Sequence, residues 1–188
     1  GIDVADFTAR VDVQLLQGRG RGLVLTEDVE RGDVVLVSKA FAIGPPGSLL
    51  SITVNRLKTC TQNEYDRFFS LHDGSSKQVG FPALVQKQVR NLSNRSVDVQ
   101  HVKRILDLNS HTRETIAPDG RSDKPQIAGL WILGSLLNHA CRPNVNRIFV
   151  GDLMVCRAAF PLRAGTELVS NYTTLCQPAF SRQAHMRE

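Results

Sequence analysis

Hydrophobic and polar positions alternate weakly along Val11–Leu16, and the glycine-rich stretch Gly18-Arg19-Gly20-Arg21-Gly22 leads into the apolar Leu23-Val24-Leu25. After the turn-forming Glu30-Arg31-Gly32-Asp33, residues 34–37 make a continuous run rich in β-branched side chains. The order predicts strand, glycine loop, strand, turn, strand. A dinucleotide-binding fingerprint would need a helix after the glycines, and β-type residues follow instead. Pro45-Pro46-Gly47 then breaks the pattern. Residues 61–71 place Tyr65, Phe68, Phe69 and Leu71 on one side of a helix, and 82–92 suit another. Val99, Val102, Ile105 and Leu106 give the clearest helical spacing, over 98–108, before a polar loop at 117–123. Residues 147–150 and 153–157 return to strands, joined by a hairpin turn at Gly151-Asp152. A second turn through Ala164-Gly165 enters a last strand over 168–172, and 177–188 begins a helix. The pattern predicts a mostly β fold carrying an α insertion.

At 188 residues the chain suits one domain with a core of useful size. Its net charge of +5 includes no basic block. That permits an acidic partner without arguing for nucleic acid, and aromatics interleaved with basic residues are not evident. Cys60, Cys141, Cys156 and Cys176 lie far apart, with no C-x-x-C pair. Free thiols in a reducing intracellular compartment, nuclear or cytoplasmic, are expected. The longest apolar run, 127–137, is too short to span a bilayer, so no membrane partner is expected. The chain lacks an initiator Met and stops in a polar, helix-like stretch, which reads as a piece of a longer protein.

The apolar run gives way abruptly to Asn138-His139-Ala140-Cys141-Arg142-Pro143-Asn144. Asn and His at the end of a buried segment each need a hydrogen-bond partner or suffer a penalty of roughly 1–3 kcal/mol. The partner is either backbone, as in a loop cap ended by Pro143, or a bound ligand.

Taken together, 18–22 with Leu23, Asn138-His139-x-Cys141-x-Pro143-Asn144, Arg157-Ala158, Ala164-Gly165-Thr166-Glu167-Leu168 and Asn171-Tyr172 occur in one order at compatible distances. This collinear set closely resembles the SET domain of protein lysine methyltransferases. The helical insertion and Asn109-Ser110 resemble the branch of SET-and-MYND proteins and their relatives fused to tetratricopeptide repeats, here without the MYND finger. The resemblance implies a β-clip of short strands and small sheets with a C-terminal pseudoknot. It divides the chain into N-terminal SET strands at 11–47, an insertion at 48–126, a C-terminal core at 127–175 and the start of a truncated post-SET helix at 176–188.

The activity it implies is methyl transfer from S-adenosylmethionine to the lysine of a histone or other protein. Arg19, Gly20, Arg21, Asn109, Asn138 and His139 would contact the cofactor, with Arg19 or Arg21 pairing with its carboxylate. Tyr172 matches the catalytic tyrosine. Its ordinary pKa near 10 makes it a poor base at neutral pH, so an orienting role is expected. His111, Phe149 and Tyr172 would line the lysine channel, with Trp131 a further wall candidate, although aromatics in strands are also ordinary core. Ala140 replaces the family's serine, and His111 stands where the related branch usually has phenylalanine. Cys141 would ligate zinc only together with a C-x-C-x-x-C post-SET segment, which does not occur before Glu188, so no metal is expected within this chain. The competing expectation is a SET-fold interaction module without catalysis.

Overall fold

The computed structural model describes residues 6–75, 80–82, 96–113 and 126–172. The loop expected at 117–123, the helix at 177–188, Cys176, and all but the first residue of the helix at 82–92 lie outside that set. The chain divides into two compact units. The first comprises Gly1–Phe7, Val37–Ser135 and Phe149–Met154; the second comprises Thr8–Leu36, Leu136–Ile148 and Val155–Glu188.

In the second unit, β1 (Val11–Leu16) and β2 (Gly20–Leu25) form an antiparallel hairpin in register from Val11↔Leu25 to Leu16↔Gly20. Strand β2 therefore begins at the glycines rather than at Leu23. The glycines carry no side chains to alternate, so pattern alone cannot find the start of this strand. Gly18 and Gly20 have φ near +71° and +72°, which lets the three-residue turn close without strain. The last strand, β10 (Glu167–Ser170), lies between β2 and the two-residue β7 (Asn138–His139), giving the order β1-β2-β10-β7. It pairs antiparallel with β2, at Leu168↔Leu23, and parallel with β7, at Val169↔Asn138 and Ser170↔His139. The late strand thus lies between two earlier segments of the chain. Leu23, Leu137 and Leu168 are fully buried beneath it.

The first unit holds β4 (Ala42–Gly44), β6 (Ile127–Leu130) and β5 (His111–Arg113), antiparallel in the order β4-β6-β5. It also holds α1 (Leu49–Leu57), α2 (Gln62–Phe69) and α3 (Val99–Asn109). Helices α2 and α3 occupy the two segments whose spacing predicts them. Helix α1 is not among the predicted elements, because Ile52, Thr53 and Val54 favour strand. Its buried Leu49, Thr53 and Leu57 recur every four residues, and Thr53 Oγ1 donates to the Leu49 carbonyl at 2.8 Å. Burial of that stripe outweighs the propensity. Trp131, Phe68, Ile105 and Leu130 form the centre of this core, and the Trp131 indole N–H donates to the Asp152 carbonyl at 2.9 Å. A further sheet has the order β3 (Val34–Lys39), β9 (Leu153–Ala158), β8 (Val145–Val150), and the division between units falls inside each of these strands. Among the described residues no helix is long and apolar enough to cross a membrane.

Candidate active site

In the second unit, β2, β7 and β10 bring together the arginine–glycine stretch, the Asn–His pair and Tyr172. Arg19 Nη2 donates to the His139 carbonyl at 2.9 Å across 120 positions of sequence. Asn138 Nδ2 donates to the Arg21 carbonyl at 3.1 Å and to Glu167 Oε1 at 2.8 Å. Arg19 Nε lies 3.3 Å from the other Glu167 oxygen. The half-buried Arg21 guanidinium has its pKa lowered by burial. Gly20 opens β2 beside these groups.

Tyr172 stands two residues beyond β10, although the sequence pattern continues the strand through it. Side chains replace the ladder at this point. Arg147 Nη2 donates to the Asn171 carbonyl at 2.9 Å, and the Tyr172 backbone N–H donates to His139 Nδ1 at 3.1 Å. That bond makes Nδ1 an acceptor, so neutral His139 carries its proton on Nε2, 3.6 Å from Cys141 Sγ. The Tyr172 hydroxyl donates to the Leu137 carbonyl at 2.5 Å, with the His139 and Tyr172 rings edge to face at 5.3 Å. Although 47% of the residue is exposed, burial around the phenol raises its pKa. Arg147 and Arg19 oppose that rise and Glu167 adds to it.

Asn144 and Glu167 belong to motifs read from the sequence, but not to the expected site residues. Buried Asn144 grips β10 with both ends of its amide: Nδ2 donates to the Glu167 carbonyl and Oδ1 accepts from Val169 N–H, each at 2.8 Å. The sequence marks Asn144 only as the end of the motif Asn138-His139-x-Cys141-x-Pro143-Asn144, since the apolar run stops at Leu137.

The remaining expected residues fall in the first unit. Asn109 ends α3 and is buried, with Nδ2 donating to the His72 and Ile105 carbonyls, each at 2.7 Å. Those two bonds give the side chain a structural task, and the Asn109 backbone carbonyl accepts from Ser135 Oγ at 3.0 Å. His111 and Phe149 flank the fully buried Trp131, with ring centroids 6.2 and 4.7 Å away. Trp131 is core. Cys60 and Cys156 are buried free thiols, and burial raises the Cys156 thiol to about 12 against the pull of Arg147. Cys141 is exposed. Among the described residues no group of three or more His, Cys, Asp or Glu side chains is placed to hold a metal ion.

The chain is similar to a Gibberella zeae protein named a methyltransferase, at 25% identity over 91% of this chain. It spans only 28% of that relative's length. A solved Plasmodium falciparum structure, described as a candidate histone methyltransferase, aligns with 89% of this chain and 96% of its own, at 10% identity and a TM-score of 0.44. The family model described as the SET domain matches residues 20–173, from the first glycine of β2 to the residue after Tyr172. That match takes in most of the chain and all three strands that build the site: the chain belongs to the SET domain family.

Proposed function

We propose that this chain is an S-adenosylmethionine-dependent protein lysine N-methyltransferase, acting on a histone or another protein. One observation carries the reading: Arg19, Arg21, Asn138, His139 and Tyr172 are tied by direct hydrogen bonds in the second unit, although they come from three separate stretches of sequence. Membership of the SET family and similarity to a protein named a methyltransferase support methyl transfer as the chemistry.

The donor set suits the cofactor. Arg19 and Arg21 offer guanidinium groups for a carboxylate. Asn138 Oδ1 is an amide acceptor left over when both Nδ2 hydrogens are used within the protein. Gly20 presents backbone without a side chain in the way. S-adenosylmethionine would supply a sulfonium methyl group that passes in line to a neutral lysine amine.

Deprotonating a free lysine at neutral pH costs about 4–5 kcal/mol, so the site must favour the neutral amine by burial and by nearby positive charge. Tyr172 is held by its hydroxyl bond to Leu137, and its raised pKa keeps it protonated at neutral pH. Its oxygen can accept from the amine and orient it, with water taking the proton. For Asn109, His111 and Phe149, the proposed cofactor and channel roles rest on the sequence resemblance alone.

The test is methyl transfer by the full-length protein to histones and to a whole lysate, using labelled S-adenosylmethionine. Label on lysine is expected, and Tyr172→Phe should lose rate about a hundredfold while cofactor affinity stays within about threefold. Affinity survives because the Tyr172 contact to His139 is made by backbone. Neither transfer nor binding by the wild-type protein would leave an interaction module as the better account.

A further inference from the structure

We propose that Glu167 is a positioning residue that decides which end of the Asn138 amide is presented to a bound ligand. This rests on the cofactor reading above and deepens it. An asparagine amide can sit in either of two orientations of nearly equal shape. At Asn138 two acceptors converge on one end: the Arg21 carbonyl at 3.1 Å and Glu167 Oε1 at 2.8 Å. Turning the amide over would set Oδ1 against both oxygens, one of them charged. The carboxylate therefore fixes Nδ2 inward and leaves Oδ1 as the acceptor for a ligand N–H.

The same carboxylate reaches the next residue. Its second oxygen lies 3.3 Å from Arg19 Nε, and that guanidinium donates through Nη2 to the His139 carbonyl at 2.9 Å. Asn138, Glu167, Arg19 and His139 thus form a closed ring of contacts around one dipeptide. Glu167 can do this because β10 lies between β2 and β7, so its side chain meets Asn138 of β7 and Arg19 in the turn that leads into β2. Only 19% of that side chain is exposed, so water competes weakly for the carboxylate. Gly22 is fitted to the arrangement: a Cβ there would stand 3.0 Å from both Asn138 Nδ2 and Glu167 Oε1.

Two measurements test it. In the free, 15N-labelled protein, the Asn138 side-chain amide, assigned by its loss in Asn138→Ala, should show two resolved hydrogen-bonded protons. Glu167→Gln keeps an acceptor oxygen and should preserve them; Glu167→Met removes it and should return them to solvent-exposed positions. The second is calorimetric titration with S-adenosylmethionine. Glu167→Met should weaken binding about tenfold, Glu167→Gln about threefold or less, and Glu167→Met added to Asn138→Ala about twofold or less. An unmoved amide signal, an equal loss in the Gln and Met variants, or full additivity with Asn138→Ala would each overturn the proposal. Should Glu167→Met not fold, Glu167→Ala replaces it with the same expectations. If the wild-type protein binds no S-adenosylmethionine, the methyltransferase reading falls, while the amide signals of the free protein still decide the role of Glu167.

Discussion

At the scale of single residues, Tyr172 is held at three points: hydroxyl to Leu137, backbone N–H to His139 and, through Asn171, the Arg147 guanidinium. Burial moves its pKa upward, so the phenol is neutral across the range in which a lysine begins to lose its proton. If Tyr172 orients and does not titrate, kcat/KM should rise about tenfold per pH unit from pH 7 to pH 9, following the lysine amine. Tyr172→Phe should lower the whole profile and keep that slope; a flattened profile in the variant would make the phenol the titrating group. The need of Asn138 and His139 for partners was legible from their place at the end of an apolar run. Their partners were not, because a carboxylate twenty-nine positions away and a carbonyl 117 positions away leave no mark in local pattern.

At the scale of elements, legibility followed periodicity. Helix α3 shows its buried Val102, Ile105 and Leu106 at helical spacing, and α2 shows its cap: Thr61 accepts from Glu64 N–H at 3.2 Å while Glu64 Oε2 accepts from Thr61 N–H at 2.9 Å. Thr61→Ala should destabilise the protein by about 1 kcal/mol in urea denaturation. Burial pushes the Glu64 carboxyl up, but its bonds from Thr61 and the Arg56 charge prevail and hold it below the ordinary value of 4.5. A carboxyl lowered in this way contributes stability above pH 4.5 and loses it as pH falls through its folded value. The gap between wild type and Thr61→Ala should therefore narrow on acidification, and a constant gap would mean that the cap does not depend on the ionised Glu64. Helix α1 and the start of β2 escaped the pattern for opposite reasons: one has strand-forming side chains, the other has almost none.

At the scale of the whole molecule, the decisive placement is β10 between β2 and β7, which joins segments more than a hundred positions apart. Such pairings close long loops before contacts reward them, so folding is expected to be slow relative to helical domains. Leu168 on β10 is fully buried against this sheet, whereas Leu15 on β1 is 72% exposed. Leu168→Ala should lower unfolding free energy by about 2–5 kcal/mol, and Leu15→Ala by about 0.5 kcal/mol or less, both read from urea melts. Equal effects would mean that β10 is not part of the core. The sequence by itself determined the strands β1 to β3 and β8 to β10, two of the helices and the collinear motifs of a SET domain, but not the short β4 to β7, because local spacing and residue types in order mark only the longer elements. Only the tertiary structure decided that Glu167 meets Asn138, that Asn144 holds β10, that Tyr172 leaves the strand, and that Asn109 ties the end of α3. Those outcomes depend on which hydrogen-bonding groups meet once distant strands are paired, and that is fixed by burial across the whole chain.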